Sequence, residues 1–247
     1  MSSAFIISLV IQVLLIVHCI RSGRNTLWIW AIALLPLAGP IAYILVEILP
    51  GLFRARGTRR AVRGVRKALD PEQDLRRFEV EARLTGDVAS RQRYADELTR
   101  QGRPAEAIAI YSQALTGLYE SDPNLLLGLA QAQFAAGAFA DARTTLDSLI
   151  AHNPSFRSPD GHLLYARALE GEGNRAKALE EYQALSQYYS GAEAPVRYAQ
   201  LLRACGRIEE ARSVLKELLD HARLAPRYYR RMQQQWLSIA EREVSTL

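Results

Sequence analysis

The stretch Ala95-Asp-Glu-Leu-Thr-Arg-Gln-Gly102-Arg-Pro-Ala-Glu-Ala107-Ile-Ala-Ile-Tyr111 returns three more times along the chain, altered but in register. Its glycine recurs as Gly137, Gly173 and Gly206, at intervals of 35, 36 and 33 residues. Five residues after each glycine stands an alanine (Ala107, Ala142, Ala178, Ala211), and four beyond that a large apolar residue (Tyr111, Leu146, Tyr182, Leu215). Seven before each glycine stands another alanine (Ala95, Ala130, Ala166, Ala199), preceded by Tyr94, Leu129, Tyr165 and Tyr198. A period of this length with apolar residues at helical spacing predicts antiparallel helix pairs stacked in a row. The glycine marks the turn, where the chain leaves a helix in a left-handed conformation. The alanines let two backbones approach, and the Tyr or Leu fills the gap to the next pair. Pro123 and Pro154 close repeats, because proline is poorly tolerated beyond a helix's first turn. One pair cannot bury its apolar face alone, so the four must stack.

These columns resemble tetratricopeptide repeats over roughly 88–225. The resemblance implies an all-α solenoid of four helix pairs, a non-catalytic role, and a protein or peptide partner held along the first helices. In the repeat register the residues facing that groove are Gln92 and Asp96; Asn124, Gln131 and Phe134; Asp160, Arg167 and Glu170; and Gln200 and Arg203. Amides and guanidinium groups suit an extended peptide backbone, and Phe134 an apolar anchor. The set lacks the Lys and Asn run of repeats that clamp a C-terminal carboxylate. Flanking helices are expected at 71–87, over Glu72 to Leu84, and at 226–247, over Pro226 to Glu243. The latter is expected to end the core with Tyr228, Tyr229, Trp236, Leu237 and Ile239.

Outward from the repeats the composition changes. The 247 residues carry 31 Lys+Arg against 26 Asp+Glu, a net +5, and are 49% hydrophobic with two cysteines. These averages exclude a disordered chain and a disulfide scaffold. They also hide a division, because residues 1–69 hold nine basic residues and one acid, Glu47, a net +8. That leaves 22 basic and 25 acidic residues, a net −3, for 70–247. Within 1–50, Ala4 to Ile20 and Leu27 to Leu49 are apolar runs of 17 and 23 residues, long enough as helices to cross a hydrocarbon core of about 30 Å. The expectation is a two-helix transmembrane hairpin in a bacterial inner membrane. Positive charge beyond the second run places both termini in the cytoplasm, with Trp28 and Trp30 at the outer interface. The segment Trp28-Ile-Trp-Ala-Ile-Ala-Leu-Leu-Pro-Leu-Ala-Gly-Pro-Ile-Ala-Tyr43 resembles the N-terminal membrane hairpin of phospholipase D-type cardiolipin synthases.

Between hairpin and repeats, 51–70 reads as a basic amphipathic linker whose Arg54, Arg56, Arg59, Arg60, Arg63, Arg66 and Lys67 would contact anionic lipid. Catalytic constellations fail one by one. A phospholipase D nucleophile is a His with Lys two residues on, and His18, His152, His162 and His221 all lack it. Cys19 and Cys205 do not form a disulfide or metal pair, and His18 and Glu47 read as interfacial residues. No catalytic residue, metal ligand or cofactor site is expected. The net −3 of 70–247 argues against nucleic acid. The sequence therefore reads as a membrane-anchored scaffold that binds a protein or peptide partner. The alternative is a non-catalytic accessory subunit of a phospholipid or cell-envelope enzyme.

Overall fold

The computed structural model describes residues 72–247, Asp70, and isolated positions of the N-terminal segment (Gln12, Val13, Leu15, Ile16, Val17, Trp30, Ile32, Ala42 and Val46). The chain divides into two compact units, 1–73 and 74–247. The anionic-lipid residues Arg54 to Lys67 lie outside the described residues, as does most of the expected hairpin. The two-pass inner-membrane placement is corrected here: among the described residues no helix is long and apolar enough to cross a membrane. The physical reason is plain in the longest of them, Ile208–Leu224, whose 17 residues include Glu209, Arg212, Lys216 and Asp220. Each such charge is costly at the centre of a bilayer.

In the second unit every regular element is helical. Helix α1 (Gln73–Thr85) precedes four pairs: α2 (Val88–Arg100) with α3 (Pro104–Ala114), α4 (Pro123–Ala135) with α5 (Phe139–His152), α6 (Pro159–Gly171) with α7 (Arg175–Tyr188), and α8 (Glu193–Ala204) with α9 (Ile208–Leu224). Helices α10 (Arg227–Met232) and α11 (Gln234–Thr246) follow. Each helix packs on its pair mate and each second helix on the next first helix. First helices also touch laterally, α2 on α4 and α4 on α6.

The starts and stops are local chemistry. Asp87, Asp122 and Ser158 accept backbone N–H bonds at the N-termini of α2, α4 and α6, satisfying donors the helix leaves orphaned. Prolines occupy the first turns of α3, α4 and α6, where the missing N–H costs nothing. At the stops, Gly102, Gly137, Gly173 and Gly206 have φ of 74, 79, 82 and 78°. In all four turns the residue after the glycine donates back to the carbonyl five residues earlier: Arg103 to Leu98, Ala138 to Gln133, Asn174 to Leu169 and Arg207 to Leu202, each at 2.9 Å. This is the Schellman closure, repeated four times.

The alanine columns are buried throughout, as are Tyr111, Leu146, Tyr182 and Leu215. The buried residues fall into a cluster from Leu75 to Ala132, a larger one from Leu163 to Ala240, and a small bridge of Ala130, Leu146 and Leu164 between them. The sequence expected one C-terminal helix, and the structure breaks it at Gln233. There the Gln233 side chain leaves the helix register to accept the backbone N–H of Ala192 at 3.0 Å, the N-cap of α8. Helix α10 then meets the core only at its margin, where Tyr229 packs half-buried against the C-terminal cluster as expected. Tyr228 is consequently exposed rather than buried, while Trp236, Leu237 and Ile239 do pack.

Candidate functional site

The residues placed in the groove by the repeat register divide into two groups. Gln92 is half-buried, Asn124 and Gln131 are exposed, and their side chains form no hydrogen bond among the described residues. Asp160 is exposed and accepts from the Tyr189 hydroxyl at 3.2 Å. The others are tied into the stack. Asp96 accepts the Tyr111 hydroxyl, and Glu170 accepts that of Tyr182 at 2.7 Å. Gln200 donates to Glu243 on α11 at 3.2 Å, and Arg203 pairs with the same carboxylate.

Arg167 is held between neighbouring first helices. Its guanidinium lies 4.6 Å from the centre of the Phe134 ring, with Nη1 3.6 Å from Glu193 and a buried Nε without a hydrogen-bond partner. Phe134 in turn contacts Phe139 at 5.1 Å between ring centres. A lateral ladder results, running from Phe134 through Arg167 and Glu193 to Arg197, 2.7 Å from Glu193 and over Trp236 at 5.2 Å. It links α4, α6, α8 and α11. Burial, with the nearby carboxylate adding to it, raises the phenol pKa values of Tyr111 and Tyr182 above the ordinary tyrosine range. Both therefore stay protonated and donate.

Sequence reasoning missed a cleft of about 700 Å³ bounded by α5, α6 and α7 and the loop through Phe156. Its walls include Leu146, Leu149, Ile150 and Phe156. Its polar edge is a network centred on His162, whose Nε2 lies 2.5 Å from Glu181 and whose Nδ1 meets the Tyr188 hydroxyl. All three groups are satisfied when Nε2–H donates to Glu181 and Nδ1 accepts from Tyr188. Tyr165 donates to Asp147 at 2.9 Å, and burial followed by that bond pushes its phenol up to about 12. The size and mixed lining suit the docking of apolar groups. The only sequence signal was a pair of large side chains, Ile150 and Tyr188, on the exposed ends of second helices, away from the groove register.

Among the described residues no group of His, Cys, Asp or Glu is arranged to hold a metal ion. Cys205 is a free, exposed thiol.

Comparison with known proteins places these features. The tetratricopeptide repeat family matches residues 98–168 in one form and 196–217 in another. Neither segment falls on residues 5–50, so the likeness to a cardiolipin synthase hairpin gains no support. No curated protein matches the chain. Among solved structures, MamA 41-end from Desulfovibrio magneticus RS-1 aligns at 15% identity and a TM-score of 0.56, over 67% of this chain and 93% of that one. A Podosopora anserina putative kinesin light chain with nearly identical TPR-like repeats aligns at 21% and 0.52, over 64% and 87%. A thermophilic TPR protein from Thermus thermophilus aligns at 18% and 0.52, over 69% and 87%. At these identities the likeness is one of fold: the described residues 72–247 form an all-α solenoid of tetratricopeptide-like repeats.

Proposed function

We propose that this protein is an adaptor that binds a protein or peptide partner along its first helices. Gln92, Asn124 and Gln131 supply free amide groups there. The observation that carries the reading is the state of those amides: on a stack where Asp96, Glu170, Gln200 and Arg203 are consumed by neighbouring helices, these donors and acceptors remain unused among the described residues. Unused amides along the first helices match the donors and acceptors of an extended peptide. The cleft beside Ile150 and Tyr188 offers the same partner a place for an apolar side chain.

A photo-crosslinking residue placed in the full chain at Asn124 or Gln131, and at the outer positions Glu180 or Lys216 for comparison, tests the reading. A discrete crosslinked partner is expected from the first two positions and none from the others. Equal labelling at all four, or none at any, rejects it. Arg167 and Arg203 are poor probes, since their replacement by Glu would set a new acid against Glu193 or Glu243 and loosen the stack itself.

A further inference from the structure

Helix α10 carries two stripes. Arg227, Arg230 and Arg231, at i, i+3 and i+4, share one side, and Tyr228 and Met232, at i and i+4, share the next. Along the repeats, arginine is commonly tied to a carboxylate, as Arg143 is to Glu172 at 2.9 Å and Arg207 to Glu210 at 2.6 Å. By contrast, the side chains of Arg227, Arg230 and Arg231 have no hydrogen bond or ion pair among the described residues. With Gln234 they surround a depression of about 400 Å³. Beside it is a second, of about 440 Å³, lined by His221, Leu224, Pro226, Tyr228 and Tyr229. Leu224, Tyr228 and Met232 are 90%, 69% and 74% exposed, an apolar display that the core does not require and that commonly marks an interaction surface.

We infer that this corner is a second docking site, for an acidic peptide segment with an apolar side chain next to its carboxylates. Guanidinium groups present paired donors that match carboxylate oxygens two at a time. Three of them around one hollow, unneutralised within the described fold, select an anionic occupant, and the adjacent apolar hollow sets what must flank the charge. The two shallow depressions share the Arg227-Tyr228 edge, which suits a peptide passing from one to the other better than a broad bilayer face. The unit that carries them is net acidic, so the attraction is local to these arginines. The site lies apart from Asn124 and Gln131, so its failure and that of the first-helix groove are separately readable.

The test titrates the full chain into a short fluorescein-labelled peptide in which glutamates alternate with leucine and phenylalanine, read by anisotropy. Two control peptides carry Gln for Glu or Ser for the apolar residues. Saturable binding is expected for the first peptide only, weakened about tenfold or more in the triple variant R227E/R230E/R231E and severalfold in L224S/Y228S. Raised salt should weaken it as well. All five positions are exposed, so circular dichroism should show both variants folded. Binding that is equal in the triple variant, or a Gln peptide that binds as well as the Glu peptide, overturns the proposal. So does arginine-dependent binding to phosphatidylglycerol vesicles with no binding to the peptide.

Discussion

Gly128 and Tyr111 show how one residue sets the spacing of two repeats. A Cβ on Gly128 would stand 2.6 Å from Cε1 of Tyr111, and Tyr111 is buried with its hydroxyl held by Asp96. The ring has no free direction in which to retreat, so Gly128→Ala overpacks the contact between α3 and α4. A loss of about 1–3 kcal/mol is expected, read as a lower urea midpoint with an unchanged slope. Truncating the ring in the same chain, as Tyr111→Leu, should recover part of that loss, because it removes the clash. Nothing in the repeat columns pointed to Gly128, which stands outside them. Its role depends on a side chain 17 positions away that only the packing of one pair on the next brings near.

At the scale of elements, the columns of small and large residues were legible because each follows from a local requirement. A left-handed stop takes glycine, and a close helix crossing takes alanine. The C-terminal end was not legible in this way. A continuous helix from Pro226 satisfies local propensity, yet the chain breaks at Gln233 because its amide serves the start of α8. Helix α11 is thereby freed to cover the fourth pair, burying Leu237 and Ala240 and placing Glu243 against Gln200 and Arg203. Leu237→Ala should destabilise the unit by about 2–3 kcal/mol through the cavity it leaves. Hydrogen exchange in that variant should rise first in α8, α9 and α11 rather than in α2 to α4. Uniform acceleration across all helices would contradict this division.

For the repeat unit as a whole, stability is a sum of pair and neighbour terms, and the terms are uneven. Between the clusters Leu75 to Ala132 and Leu163 to Ala240 the fully buried apolar contact narrows to the small cluster of Ala130, Leu146 and Leu164, and the cleft of about 700 Å³ lies at that same seam. Leu164→Ala thins the bridge further. It is expected to turn a single urea transition into two, resolved by comparing circular dichroism with the fluorescence of Trp236 in a chain carrying Trp28→Phe and Trp30→Phe, where the remaining indole reports the C-terminal part. A single coincident transition in the variant would show that the two clusters remain one cooperative unit.

The sequence by itself determined the repeat, its period, its turns and the residues that line the interior, because those depend on neighbours within one helix pair. It also marked the first-helix positions, but not which of them stay free. The tertiary structure decided that, since the partners of Arg167 and Arg203 are Glu193 and Glu243, carboxylates carried by other helices. It likewise decided the cleft around His162 and the exposed arginine corner of α10. Both arise where helices from different pairs end side by side, a relation set by stacking and not by local spacing along the chain.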